Sequence, residues 1–192
     1  MTVILLMRHG EKHNGELSAK GRERAKFFPK YFKDFRPDGV PFPTHLISMK
    51  SNRVSSPHRC IDTMIPMMRT FGMTLHIEFK IYEVDKLVKY IRNLPKSSVV
   101  LVCWEHHYLV IIARALGFPV MDWSDTPFST DIDTMRFDIL WKIDGDLFES
   151  FVTFATDDGN ISLYLHPLRQ RCFIRNRLVE SMDAGWLYHR PT

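Results

Sequence analysis

Short apolar runs alternate along the chain with segments whose apolar residues recur every three or four positions. The continuous runs predict buried β-strands at 2–7, 44–49 and 97–104, with a short extended piece at 75–79. The periodic segments predict amphipathic helices at 18–35, 56–71, 84–94 and 106–117. This alternation of strand and helix favours a parallel α/β sheet.

Residues that start, bend and stop helices support these assignments. Ser18 is a predicted N-cap, and Pro29 is expected to kink the helix that follows it. Ser56-Pro57 predicts the start of the next helix, whose apolar face would carry Ile61, Ile65, Met68 and Phe71. Gly72 would end that helix.

The pattern changes in the last third of the chain. Segments 136–144 and 150–158 resemble two strands joined by a turn at Gly145, and 160–165 resembles a third. We therefore expect an antiparallel addition to the parallel sheet. No linker or repeat divides the chain, so residues 1–192 are predicted to form a single domain.

Composition narrows the classes of partner and location. The chain is 45% hydrophobic and 25% charged, which is typical of globular proteins. A net charge of +4 gives a weak preference for anionic partners, but no recognised nucleic-acid motif is present, so we expect no nucleic-acid partner. Four arginines within 166–177 favour a solvated basic face, although salt-sensitive nucleic-acid binding stays a weaker alternative.

The cysteines and the apolar segments indicate a cytoplasmic protein. Cys60, Cys103 and Cys172 are an odd number at distant spacings, which favours free thiols in a reducing compartment. The first apolar run is too short for a signal peptide and meets Arg8 at once. No run is long enough to span a membrane, so we expect no membrane partner.

Two predicted strands end in residues capable of chemistry. The first ends in Arg8-His9-Gly10, and the strand at 97–104 is followed by Glu105-His106-His107. In open α/β sheets, ligands bind outside the carboxyl ends of the strands. We therefore expect these two groups to meet at one edge of the sheet.

The residue types at this edge suit a phosphoryl group. Arg8 offers a planar fork of donors for phosphate or carboxylate oxygens. Neutral His9 could attack phosphorus. Gly10 could let backbone and ligand approach closely and could offer its N–H to an anion. Arg59, in a first helical turn, and His106, at a helix start, would add to an anion site that stabilises a transferring phosphoryl without a metal.

Two other kinds of chemistry are possible near this edge, a metal site and a cysteine nucleophile. A metal site could draw on His9, His13, Glu105, His106 and His107, but none forms a spaced ligand pair, and the adjacent histidines are expected to diverge. Cys103 as a nucleophile is disfavoured because an apolar strand favours the neutral thiol. We therefore predict no metal and no cofactor.

Four motifs in register resemble the histidine phosphatase superfamily, also called the phosphoglycerate mutase-like fold. They are Arg8-His9-Gly10, Leu17-Ser18 with Gly21, Arg59 with Thr63, and His106 after an apolar strand. The resemblance covers residues 3 to about 117, and 136–144 is similar to a late strand of small members that begin with Arg-His-Gly-Glu-Lys. It implies a three-layer α/β/α sandwich with a mainly parallel sheet.

The resemblance also implies roles for the site residues. His9 would be the nucleophile that becomes phosphorylated, while Arg8, Arg59 and His106 would hold the phosphoryl group. Water would then hydrolyse the phosphohistidine.

The chain departs from the family pattern in three places. His107 stands where the family usually has a glycine, and Asn14 falls one residue short of a family asparagine and is left out of the site. The segment between Thr63 and Val99 is short and holds no matching acidic motif. Glu105 is the preferred proton donor, with Glu83 and Asp85 as the other candidates.

The sequence thus predicts a metal-independent phosphatase that acts through a phosphohistidine on His9. Its partner would be a phosphorylated small molecule or phosphoprotein. The short middle segment favours a hydrolase over a mutase, because a mutase must shield its intermediate from water. The alternative is a phosphate-binding module without turnover.

Overall fold

The computed structural model describes residues 1–51, 58–118, 137–157, 160–163, 169–174 and 177–179. Within these ranges, eight strands form one sheet. In spatial order they are β12 (Arg177–Val179), β11 (Arg169–Ile174), β8 (Leu147–Val152), β7 (Ile139–Asp144), β1 (Val3–Arg8), β6 (Val99–Trp104), β4 (His45–Ser48) and β5 (Leu75–His76). Two small hairpins stand apart from it, β2 (Lys12–His13) with β3 (Glu16–Leu17) and β9 (Phe154–Asp157) with β10 (Asn160–Leu163).

The sheet divides into a parallel half and an antiparallel half. Strands β1, β6, β4 and β5 pair in parallel, whereas β7, β8, β11 and β12 join beyond β1 through antiparallel pairings. Counting β1 itself, six of the eight strands in this sheet run in one direction, and only β7 and β11 run in the other. The predicted mainly parallel sheet is confirmed in this sense. The antiparallel addition is confirmed and reaches further than predicted, because β11 and β12 extend it into the arginine-rich segment.

Helices cover both faces of the sheet. Helices α1 (Ala19–Lys30) and α2 (Arg59–Phe71) pack on one face, and α3 (Val84–Arg92) and α4 (His106–Ala115) pack on the other. The alternation of the strands explains this arrangement, since Leu5 and Met7 face the first pair while Ile4 and Leu6 face the second. The predicted three-layer α/β/α sandwich is confirmed.

The predicted helix signals hold with two adjustments. Ser18 caps α1 by accepting the Gly21 N–H at 3.0 Å, and Gly72 ends α2 with a left-handed φ of 63°. The disturbance expected at Pro29 takes the form of a π-helical turn, Tyr31–Phe35, directly after α1. The buried face of α2 is rotated from the predicted one, because its buried residues are Cys60, Thr63, Met64 and Met67. Of the predicted residues, Met68 and Phe71 pack partly buried against the core.

The start predicted at Ser56-Pro57 lies outside the described residues, and α2 is described from Arg59. Among the described residues, no helix combines the length and apolar character needed to cross a membrane.

Candidate active site

The parallel pairing of β1 with β6 brings the two predicted groups together. Arg8 stands opposite Trp104 in the register, so His9 and Glu105 leave the sheet side by side at its carboxyl edge. Both strands are almost wholly buried, which fixes the backbone from which these side chains project. The structure therefore confirms that the two motifs meet at one edge.

His9 is held in one orientation by its own loop. The ring is 2% exposed, and its Nδ1 lies 2.7 Å from the Gly10 carbonyl oxygen. Because a carbonyl can only accept, Nδ1 carries the proton in this arrangement and Nε2 keeps its lone pair. Nε2 is thus the atom available for nucleophilic attack.

The surroundings of His9 favour its neutral form. Burial lowers its pKa most strongly; the Gly10 hydrogen bond opposes this effect, and the positive charges of Arg8 and Arg59 lower the pKa further. The resulting pKa is about 4, against an ordinary value of 6.5. At neutral pH the imidazole is uncharged, as a nucleophile requires.

Arg8 lies under an aromatic ring at the same edge. It is 1% exposed, and its guanidinium carbon lies 4.1 Å from the centroid of Phe137, whose ring centroid is also 5.9 Å from that of His9. Burial is the largest influence on Arg8 and lowers its pKa to about 10, so the guanidinium stays charged at neutral pH. No local pattern in the sequence indicates Phe137 as a neighbour of these two residues.

Arg59 is the first residue of α2, as predicted. Its Nη1 donates to the Gly15 carbonyl in the turn between β2 and β3, which anchors the side chain. Its Nε is buried and has no hydrogen-bond partner among the described residues. A buried donor of this kind is suited to an anionic ligand beside a helix N-terminus.

Thr63 explains why Arg59 and Gly10 belong to the same site. The Gly10 N–H donates to Thr63 Oγ1 at 2.9 Å, and the Thr63 hydroxyl donates to the Arg59 carbonyl at 2.7 Å. This result corrects the expectation that Gly10 offers its N–H to an anion, because Thr63 already accepts it.

Glycine at position 10 is needed for close packing against α1. A Cβ there would lie 2.7 Å from the Gly21 carbonyl oxygen, and a Cβ on Gly21 would lie 2.2 Å from the Glu11 carbonyl oxygen. The loop after β1 and the start of α1 thus touch backbone to backbone. The two glycine-containing motifs are complementary halves of one contact.

Glu11 and Arg24 form a buried ion pair that sequence analysis missed. Arg24 Nη2 and Glu11 Oε1 are 2.6 Å apart, Arg24 Nε lies 2.9 Å from Glu11 Oε2, and Arg24 Nη1 donates to the Phe154 carbonyl at 2.7 Å. The pair ties the loop after His9 to α1 and to β9. Thirteen residues separate the partners, so no local pattern indicates the pairing.

Glu105 caps α4 and contacts His106, the first residue of that helix. Its side chain accepts the His107 N–H at 3.0 Å, and its other oxygen contacts His106 Nδ1. Burial would raise the pKa of Glu105, but the hydrogen bond and charge of His106, aided by His107, outweigh burial and lower it to about 2. An ionised carboxylate cannot donate a proton, so this result opposes the role of Glu105 as the acid.

The two other candidate acids lie on α3. Glu83 closes the turn before this helix by accepting the Lys80 N–H at 2.9 Å, and it pairs with Lys86 at 2.5 Å. The hydrogen bond from Lys86 is the main cause that lowers its pKa. Asp85 lies in the first turn of the same helix. Neither is among the charges that shift the pKa of His9.

His106 and His107 do not diverge as predicted. Their ring centroids are 3.9 Å apart, and ligand atoms of Glu105, His106 and His107 all lie within 4.8 Å of one another. The turn from strand to helix at Glu105 rotates the two adjacent side chains towards the same side. The prediction rested on the divergence of adjacent side chains along a regular strand or helix, which does not hold for these first two residues of α4.

Cys103 is unsuited to be a nucleophile. It is fully buried in β6, and burial, together with the neighbouring thiol of Cys60, raises its pKa. Cys60 and Cys103 are both free thiols.

No protein-family model matches the chain, and no curated protein matches it. Solved structures that match include the mycobacterial glucosyl-3-phosphoglycerate phosphatase in complex with VO3, with 13% identity, 74% of this chain and 92% of that chain covered, and a TM-score of 0.49. Phosphoglycerate mutase from Plasmodium falciparum shares 15% identity over 97% of this chain and 98% of its own, with a TM-score of 0.46. Alpha-ribazole phosphatase from Shigella flexneri shares 12% identity over 94% of this chain and 100% of its own, with a TM-score of 0.44.

These matches bear the names of phosphatases and a phosphoglycerate mutase, the class of protein that the sequence motifs resemble. At TM-scores below 0.5 they carry no argument about activity. What this chain can do follows from its own residues.

Proposed function

We propose that this chain is a histidine phosphatase that hydrolyses a phosphorylated substrate, without a metal, through a phosphohistidine on His9. The observation that carries the proposal is the state of His9. It is a buried, neutral imidazole whose Nδ1 is held by the Gly10 carbonyl, which leaves Nε2 for attack, and the charges of both Arg8 and Arg59 act on the ring.

Each remaining residue of the predicted set has a part in the proposal. The guanidinium groups of Arg8 and Arg59 bind the phosphoryl oxygens and stabilise the charge that develops on them. His106, oriented by Glu105, donates a further hydrogen bond from Nε2 when it is protonated. His9 Nε2 attacks phosphorus, the leaving group departs, and water then cleaves the phosphorus–nitrogen bond to return free His9 and phosphate.

The ionised state of Glu105 restricts the substrate class. A leaving group that needs a proton gains no help from this carboxylate, so an alkyl phosphomonoester would react slowly. An acyl phosphate, a phosphoanhydride or a phosphohistidine releases a stable leaving group and needs less help. We therefore propose that the preferred partner, small molecule or phosphoprotein, belongs to this second group, and that the protein acts in the cytoplasm as a hydrolase and not as a mutase.

Hydrolysis in the presence of a chelator tests the proposal. Wild type, His9→Asn and the matched control His13→Asn would be assayed with acetyl phosphate and with glycerol 2-phosphate, an alkyl phosphomonoester, in EDTA. His13 is exposed and outside the proposed site. We expect turnover by wild type and His13→Asn, a loss of at least a hundredfold in His9→Asn, and preference for acetyl phosphate.

The alternative, a phosphate-binding module, predicts a different outcome. All three proteins would then bind orthophosphate with similar affinity, and none would hydrolyse either substrate. That result would contradict the proposed phosphatase activity but would be consistent with an anion site formed by the arginines.

A further inference from the structure

Three adjacent residues at the start of α4 bring together ligand atoms suited to a transition metal. Glu105 Oε1 contacts His106 Nδ1, the rings of His106 and His107 are 3.9 Å apart, and one ligand atom from each residue lies within 4.8 Å of the others. Two imidazole nitrogens and a carboxylate oxygen are a common donor set for Zn²⁺. His107 is exposed, so an ion can reach the cluster from solvent.

We propose that Glu105, His106 and His107 bind a divalent transition-metal ion such as Zn²⁺ and that the bound ion inhibits the phosphatase. The inhibition rests on the proposed function, whereas the binding does not. The metal is a regulator here and takes no part in the reaction.

The present spacing of the cluster explains why binding would inhibit. In a tetrahedral zinc site the ligand atoms are roughly 3.4 Å apart, because each lies about 2.0–2.2 Å from the ion. The ligand atoms here lie within 4.8 Å of one another, but Glu105 Oε1 and His106 Nδ1 are already in direct contact, closer than two ligands of one ion stand. These two side chains must therefore move apart to admit the ion, while His107 closes on it from the exposed side. That rearrangement shifts the His106 ring out of the position from which, in the proposed function, it would hold the phosphoryl group.

The metal would also change what His106 can donate. Glu105 Oε1 and His106 Nδ1 are in direct contact, and an ion bound by both atoms would take the place of that contact. Glu105 would then bind the ion and would no longer orient the His106 ring. Its second oxygen keeps the His107 N–H, so the helix cap can survive binding.

His107 offers a clean test, because it belongs to the cluster and not to the proposed catalytic set. Chelator-treated wild type, His107→Asn and the control His13→Asn would be titrated with Co²⁺ and followed by its visible absorption, and with Zn²⁺ by calorimetry. We expect one ion per chain in wild type and His13→Asn, and binding at least tenfold weaker in His107→Asn. Far-UV circular dichroism would verify that the variants fold.

Inhibition would be measured separately with acetyl phosphate. We expect Zn²⁺ to slow wild type, and the concentration for half-inhibition to rise at least tenfold in His107→Asn while its activity without metal stays the same. Equal Co²⁺ binding by wild type and His107→Asn, or no binding by either, would overturn the proposed metal site. If metal-free wild type showed no turnover but still bound Co²⁺, the proposed phosphatase would be overturned and the proposed metal site would stand.

Discussion

The Gly10 N–H donates a hydrogen bond to Thr63 Oγ1, 2.9 Å away, and so joins the loop after His9 to α2. The Thr63 hydroxyl in turn donates to the carbonyl of Arg59, one helical turn earlier. The Thr63 side chain therefore connects the loop that carries His9 to the backbone of Arg59. A change at Thr63 is expected to affect both without touching either side chain.

Replacement of Thr63 by valine tests this link. Valine keeps the shape but leaves the buried Gly10 N–H without an acceptor, which costs about 1–3 kcal/mol of unfolding free energy. We also expect weaker phosphate binding, because Arg59 and His9 lose their common anchor. Urea unfolding and phosphate titration would measure both effects, with Thr63→Ser as the control that retains the hydroxyl. A valine variant as stable as the serine variant would contradict the link.

Alanine at Gly21 is expected to destabilise the protein, although alanine normally favours a helix by about 1 kcal/mol over glycine. The added Cβ would lie 2.2 Å from the Glu11 carbonyl oxygen, so the loop after β1 would have to move. We expect a loss of about 1–3 kcal/mol, the usual cost of overpacking. Urea unfolding would compare it with Lys20→Ala on the exposed side of the same helix, where no loss is expected. A stabilised Gly21→Ala would mean that the two backbones are not in contact.

His9 makes stability depend on pH. Its pKa is about 4 in the folded protein and near 6.5 in the unfolded chain, so the unfolded chain binds the extra proton as pH falls between these values. His9 therefore contributes stability above pH 6.5 that is progressively lost as pH falls towards 4, amounting to about 3 kcal/mol. Urea unfolding would measure how much unfolding free energy each protein loses when the pH is lowered from 7.5 to 4.5. We expect this loss to be about 2–3 kcal/mol smaller in His9→Gln than in wild type. Equal losses in the two proteins would contradict a lowered His9 pKa.

Phe137 is expected to hold Arg8 in place for phosphate. Its ring centroid lies 4.1 Å from the guanidinium carbon, and such contacts contribute about 0.5–2 kcal/mol. Phe137→Leu should weaken inhibition by orthophosphate by about 2- to 30-fold, the equivalent of that range. Phe137→Tyr retains the ring face and should behave like wild type. If leucine and tyrosine give the same inhibition constant, stacking on Arg8 has no role in anion binding.

The fold could be predicted from the sequence wherever one local property, such as a continuous apolar run or a capping hydroxyl, determines the conformation of a segment. The continuous apolar character of β1 and β6 predicts buried strands, and the Ser18 hydroxyl predicts the start of α1. Together these predict where His9 and His106 leave the sheet. The family resemblance then predicted a shared role for these two residues.

Other features depend on contacts that no local pattern encodes. The Glu11–Arg24 pair and the stacking of Phe137 on Arg8 join residues far apart in the chain. Strand β11 arises where a run of arginines suggested only a basic surface, because pairing with β8 decides its conformation. The proximity of the His106 and His107 rings follows from the bend at Glu105, which periodicity cannot describe.

The most direct test of the account is to trap the phosphoenzyme. Wild type, His9→Asn and His13→Asn would be mixed with ³²P-labelled acetyl phosphate in EDTA, quenched within milliseconds in alkali, and separated by gel electrophoresis. We expect label on wild type and His13→Asn but not on His9→Asn, and we expect it to survive alkali and be lost in acid, as a phosphorus–nitrogen bond requires. Equal labelling of His9→Asn, or label that survives acid and is lost in alkali, would contradict His9 as the nucleophile.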